Sequence, residues 1–300
     1  HAGVQRLDST YQYEQIPAPI PTPLTTPLGP TSENVTFLDR PRVVESLKIT
    51  HLFKHDDPAR KDGFKLVAYA EAQELSAGVY RDITVSPPVD TPLPADTGFL
   101  VGTELAYWTG QRDTFVQLFL RHARGIAAYD PLAVPLTFAN DRTTSGSTET
   151  LVALGGNYEW GPFGVLVGAY LRAFRDGDPS PTTSQKYDEG ILVVRPQLYI
   201  GQHWGIAAEG AFEARRYAVL DPANDQPLTA SEWRAGLIPY FSPSGRGSYK
   251  RPQLRLIYAL TARNSAAREL YPAQDVFSQR AVEQFLGVGA EWWFNSSSYP

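Results

Sequence analysis

Aromatic rings and charged groups recur together on single faces of this chain. Trp108 shares its parity with Glu104, Tyr170 with Arg172, Tyr240 with Arg234 and Trp293 with Glu291, while Tyr249 stands in a connection just ahead of Arg251-Pro252 and Arg255. An aromatic ring stacks on the apolar face of a pyranose, and neighbouring carboxylates and guanidinium groups hydrogen-bond the hydroxyls around its rim. Rings and charges alternating along a wetted wall would make a track on which a sugar is held and released in steps. The same rings could instead pack against a loop folded toward them, and periodicity by itself favours that packing. The polar face also carries Lys65, Glu71, Gln117, Arg121, Arg195, Gln197, Glu209, Glu213 and Arg215. Burying so many charges of both signs in a dry core would cost several kcal/mol each, which points to a water-filled lumen. Any one of them could equally be paired with a cross-strand neighbour.

Nothing assembles for catalysis or for a cofactor. His51 and His55, four apart, would align on a helix but not on the strand expected there, and His1, His122 and His203 show no metal spacing. Gly155-Gly156 falls inside a strand, where it makes room for a neighbour rather than cradling a phosphate. Asp56-Asp57 and Asp176-Gly177-Asp178 lie in connections and read more readily as solvated turns than as calcium ligands.

The elements that must position these residues are strands. Phe64, Leu66, Ala68, Ala70 and Ala72 oppose Lys65, Val67, Tyr69, Glu71 and Gln73; Leu286, Val288, Ala290, Trp292 and Phe294 oppose Phe285, Gly287, Gly289, Glu291 and Trp293. One face could meet hydrocarbon and the other carries the charge. Strands are predicted at 43–53, 63–75, 97–108, 113–124, 149–160, 163–175, 188–200, 204–217, 230–241, 251–263 and 282–294, with a further candidate at 4–16, about twelve in all. The connections 54–62, 109–112, 161–162, 201–203 and 242–250 are short, whereas 76–96, 125–148, 176–187, 218–229 and 264–281 are long. Strict alternation places all long loops at one end of the strands, as in an antiparallel transmembrane β-barrel with short periplasmic turns and long external loops. The proline-rich residues 17–34 should form an external loop and 295–300 a periplasmic tail of a single barrel domain.

Composition agrees. The mean hydropathy of −0.28 hides no run long enough for a membrane helix. There is no cysteine, hence no disulfide or thiolate site, and no methionine even at position 1. A net charge of −5 without a basic run argues against a nucleic-acid partner. Tyr107, Tyr158, Trp160, Trp204, Trp233, Phe241, Trp292 and Phe294 fall on the apolar parity and are expected near the short-turn ends. That is the aromatic girdle of a bilayer interface, which a soluble β-sandwich has no reason to build.

The stretch Tyr249-Lys250-Arg251-Pro252-Gln253-Leu254-Arg255-Leu256-Ile257-Tyr258 and the ending Leu286-Gly287-Val288-Gly289-Ala290-Glu291-Trp292-Trp293-Phe294 resemble the last two strands of the maltoporin-like, sugar-specific porins. Residues 99–121 and Arg195-Pro196-Gln197-Leu198-Tyr199 resemble earlier strands of that family, so the likeness covers about residues 40–294. The resemblance implies a homotrimeric barrel of about eighteen strands in a Gram-negative outer membrane, passing oligosaccharides by facilitated diffusion along an aromatic slide flanked by ionic residues. Tyr249 and Trp293 match two slide positions. A third falls near Arg112, which is not aromatic, so either Trp108 or Phe115 compensates or the slide is shorter. About twelve strands are too few for the family, and the chain is expected to be the C-terminal portion of a longer protein, whose missing part would supply the pore-constricting loop.

Two functions follow, neither enzymatic. One is a carbohydrate-selective porin, with Trp293, Tyr249, Trp108, Tyr170 and Tyr240 as sugar platforms and Glu104, Arg121, Arg172, Arg195, Glu209, Arg234, Arg255 and Glu291 lining the pore. The other is a general diffusion porin for small hydrophilic solutes, in which the aromatics are structural. A barrel presenting its loops for adhesion has no positive support. The partners expected are solute and outer-membrane lipid.

Overall fold

The computed structural model describes residues 2–7, 25–26, 29–30, 42–54, 60–82, 86–109, 114–129, 139–182, 185–221 and 224–292. In chain order the strands are β1 (Ala2–Leu7), β2 (Thr25–Thr26), β3 (Gly29–Pro30), β4 (Arg42–Lys54), β5 (Gly63–Leu75), β6 (Gly78–Asp82), β7 (Val89–Leu93), β8 (Asp96–Trp108), β9 (Phe115–Gly125), β10 (Thr148–Trp160), β11 (Phe163–Arg175), β12 (Tyr187–Ile200), β13 (Trp204–Leu220), β14 (Pro227–Phe241), β15 (Gln253–Arg263) and β16 (Val282–Glu291). A 3₁₀ turn (Ile126–Ala128) and two short helices, α1 (Ser265–Glu269) and α2 (Val276–Gln279), lie in connections. No described helix is long and apolar enough to cross a membrane.

Twelve strands form one antiparallel meander in the order β1-β4-β5-β8-β9-β10-β11-β12-β13-β14-β15-β16. The predicted strands 63–75 and 163–175 coincide with β5 and β11. The candidate strand 4–16 is represented by β1, and its residues 8–16 lie outside the described part. Of the proline-rich segment, Thr25–Thr26 and Gly29–Pro30 form a two-residue ladder. Most of the rest, like the tail 295–300, lies outside the described residues. The long connection 76–96 carries an unforeseen hairpin, β6 with β7. Among the described residues β1 and β16 pair on one side only, so the sheet is open. Bare edges in hydrocarbon leave a row of unmet backbone groups, and a membrane barrel requires both to be paired.

The solvent of the outer face follows from its side chains. Leu47, Phe99, Val152, Leu171, Trp204, Leu237, Leu256 and Val288 all stand exposed, Val288 at 86%. Leaving such a side chain wholly in water rather than an apolar medium costs about 1.5–3 kcal/mol, and one half-exposed costs about half of that. A continuous apolar face of this extent calls for lipid. Tyr107, Tyr158, Trp160 and Trp204 ring the short-turn end as expected, with contacts between Tyr158 and Trp160 (5.2 Å) and between Trp204 and Phe241 (4.9 Å). Trp292 is exposed beyond β16, while Phe294 lies outside the described residues. Trp233 corrects the expectation. It pairs with Phe212 in mid-β13, eight residues from Phe241 and so about 26 Å along the strand from the short-turn end. An apolar band about 25 Å tall puts that position near the opposite interface, toward the long loops.

Candidate functional site

The polar face carries a ladder of ion pairs. Lys65 meets Glu104, Arg195 donates to Glu209 (Nε to Oε2, 2.8 Å), and Arg121 and Arg172 converge on Glu149, the latter at 2.7 Å. Arg215 pairs with Glu189, whose other oxygen accepts the Tyr170 hydroxyl at 2.6 Å. Arg251 (2.9 Å) and Arg255 share Glu291. Arg234, half-exposed, donates to Glu232 at 3.1 Å. The eight charged residues expected to line the pore (Glu104, Arg121, Arg172, Arg195, Glu209, Arg234, Arg255 and Glu291) thus have ionic partners. Several partners were not foreseen, chiefly Glu149, Glu189 and Arg251. Tyr187 was also missed: its ring lies 5.7 Å from Arg172 Cζ and 4.6 Å from Arg215 Cζ.

Two of the expected aromatics lie flat on the wall. A Cβ at Gly63 would sit 2.4 Å from the half-buried Trp108 ring, and one at Gly205 would sit 2.3 Å from the Tyr240 ring. Glycine is required at both positions because the cross-strand ring occupies the space of a side chain. Tyr240 is only 5% exposed, and its hydroxyl donates to Gln197 Oε1 at 3.4 Å. That leaves Trp108, Tyr170 and Tyr249 as described rings with partial exposure. Trp293 lies outside the described residues.

Tyr249 is carried by the connection between β14 and β15, which folds onto the polar face instead of simply reversing the chain. The Ser248 N–H donates to Glu159 Oε1 on β10 at 2.7 Å, although the two residues are 89 apart in sequence. The Ser248 hydroxyl takes a bond from Gln197 Nε2 (3.1 Å) and shares a hydrogen with Tyr199 (2.9 Å). Arg246 lies over the Tyr199 ring at 5.2 Å. Reaching β10 from β14 crosses the width of several strands at about 4.8 Å each, so this turn bridges a concave face. It sets the Tyr249 ring 6.0 Å from Phe115 at the start of β9.

The long-loop end is also partly covered. Ile126, Ala127 and Ala128 are buried, the two alanines packing with Leu100, Ala123 and Phe174. Arg42 fastens this turn by donating to the carbonyls of Ile126 (3.0 Å) and Tyr129 (3.2 Å). Asp96 Oδ2 accepts from both the N–H and the hydroxyl of Thr144, each at 2.7 Å. Tyr129 shares a hydrogen with Ser147 at 3.0 Å, and burial pushes its phenol up to about 12. A folded-state pKa above the usual 10.0 means the fold prefers the neutral phenol, so its contribution is full below pH 10 and lost as pH rises toward 12. Limited proteolysis of the 125–148 segment should therefore accelerate across that window. Tyr129→Phe should flatten the response; an unchanged response in that variant would remove Tyr129 as its cause.

A family model described as LamB porin matches residues 50–294. No curated protein matches the chain.

Proposed function

The chain belongs to the LamB porin family, and from that premise we propose that it forms a water-filled outer-membrane channel that passes oligosaccharides by facilitated diffusion. The observation that carries this reading is the inward-folded turn that holds Tyr249 against Phe115, two residues ahead of Arg251, which shares Glu291 with Arg255. Its ring offers a stacking face, and the adjacent guanidinium and carboxylate groups exchange hydrogen bonds with hydroxyls. Trp108, Tyr170 and, by the family resemblance, Trp293 extend the same track. Lys65–Glu104, Arg121–Glu149–Arg172 and Arg195–Glu209 supply polar wall between the rings. The protein is an integral barrel of a Gram-negative outer membrane, with short turns toward the periplasm and long loops outside. It is assembled as the homotrimer that the resemblance implies, and it carries no catalytic role.

Single-channel recording in a planar bilayer tests this. Maltotriose should block the current reversibly and saturably, and Trp293→Ala should weaken the block about tenfold, the loss expected for one stacking ring. Open channels indifferent to maltotriose and longer oligosaccharides would replace this reading with that of a general diffusion porin.

A further inference from the structure

A second polar concavity lies at the opposite end of the wall, under α1, with a volume of about 220 Å³. Its lining includes Glu213, Arg215, Tyr217, Glu232, Arg263 and Tyr271. We propose that this cavity is a vestibule subsite that receives one sugar ring of an oligosaccharide arriving from the long-loop side, a proposal that rests on the sugar-porin reading above.

The roof of the cavity is built rather than draped. Asn264 caps α1, its Oδ1 accepting from the N–H of Ala267 (2.8 Å) and of Ser231 (3.1 Å), while its Nδ2 donates to the Thr229 carbonyl (2.8 Å). Ala267 packs with Tyr217, Leu228 and Ala230, and Leu270 packs against the same cluster. Arg263 reaches Glu232 (2.7 Å) and Glu283 (2.6 Å), with its Cζ 5.7 Å from the Tyr271 ring and 5.2 Å from that of Phe277. The connection 264–281 is thereby fixed to β14, β15 and β16 by side chains whose packing a flexible loop would not need.

The lining contains one arrangement that the fold does not require. Glu213 and Glu232 face each other directly across β13 and β14. Like charges opposite one another weaken a ladder. Glu232 is offset by Arg234 and Arg263, but Glu213 makes no ion pair or hydrogen bond among the described residues. Glu213 is exposed at the cavity wall, and its oxygens can exchange water for the hydroxyl donors of a guest. Both guanidinium groups of the lining are already paired, Arg215 with Glu189 and Arg263 with Glu232 and Glu283, so an anion meets no unpaired cation there, while Tyr271 adds ring surface and a hydroxyl for a polyol.

The experiment adds maltotriose to one side of the bilayer at a time and reads the rates of block. Glu213→Gln is expected to slow block from the long-loop side about fivefold, because the neutral amide oxygen accepts more weakly than the charged carboxylate. Block from the short-turn side and the open-channel conductance should not change. Tyr271→Ala should act in the same direction, and Glu213→Gln decides alone if that variant fails to insert. Blocking rates unaltered from the long-loop side, or altered equally from both sides, would overturn the subsite while leaving the porin reading intact. Absence of maltotriose block in the unmodified protein would instead overturn the sugar-porin reading on which the subsite depends.

Discussion

Replacing Tyr249 by alanine is expected to raise the dissociation constant for maltotriose block about tenfold, because one aromatic platform contributes roughly 1–1.5 kcal/mol beyond its area. The position of that ring is not intrinsic to its own segment. The turn is held by the Ser248 N–H on Glu159, a residue 9% exposed on a strand four places away in the sheet. Glu159→Ala leaves the amide without its acceptor and frees the turn, so it should weaken block nearly as much as Tyr249→Ala. Glu159→Gln keeps an oxygen in place and should restore most of the affinity. Combining Glu159→Ala with Tyr249→Ala should add little to either alone, since both act through one ring. Full additivity would show that Glu159 does not work by positioning Tyr249.

Glu149→Ala is expected to have the largest effect on ion selectivity. This carboxylate is 1% exposed and is shared by Arg121 and Arg172. Removing it leaves two guanidinium groups on the wall without their counter-charge. The barrel should lose roughly 2–3 kcal/mol, less than the 3–5 kcal/mol typical of a broken dry pair, because the 35% and 24% exposed arginines can recruit water. The reversal potential in a potassium chloride gradient should move toward anion selectivity, most steeply at low ionic strength where screening is weak. A reversal potential that stays put would place Glu149 outside the ion path. A lowered heat-dissociation temperature without any shift in selectivity would make its role purely structural.

The strands were legible because alternation is forced by physics: a strand with lipid on one side and water on the other cannot permute its side chains without placing charge in hydrocarbon. Hence the expected bounds of β5 and β11 match the fold, and β8, β9, β10, β12 and β13 fall close to theirs. The pairing of Glu149 and Glu159 was harder to see. Between them the inward positions of β10 are Leu151, Ala153, Gly155 and Asn157, three of the four without a polar side chain, so its polar parity is interrupted and neither glutamate stands out. The level of Trp233 was misjudged because parity tells the side of a strand and not the height along it. Height is set by the register with Phe212.

The sequence by itself determined which side chains share each face of the wall, the alternation of short and long connections, and the family, since these depend on residue types at fixed spacings along one strand or its immediate neighbour. Only the tertiary structure decided which charges pair, which rings lie flat over glycine as Trp108 and Tyr240 do, and which connections turn inward. Those outcomes depend on contacts such as Ser248 with Glu159 and Arg42 with Ile126, between residues 89 and 84 apart. No local periodicity encodes such contacts; the curvature of the whole sheet brings them within reach.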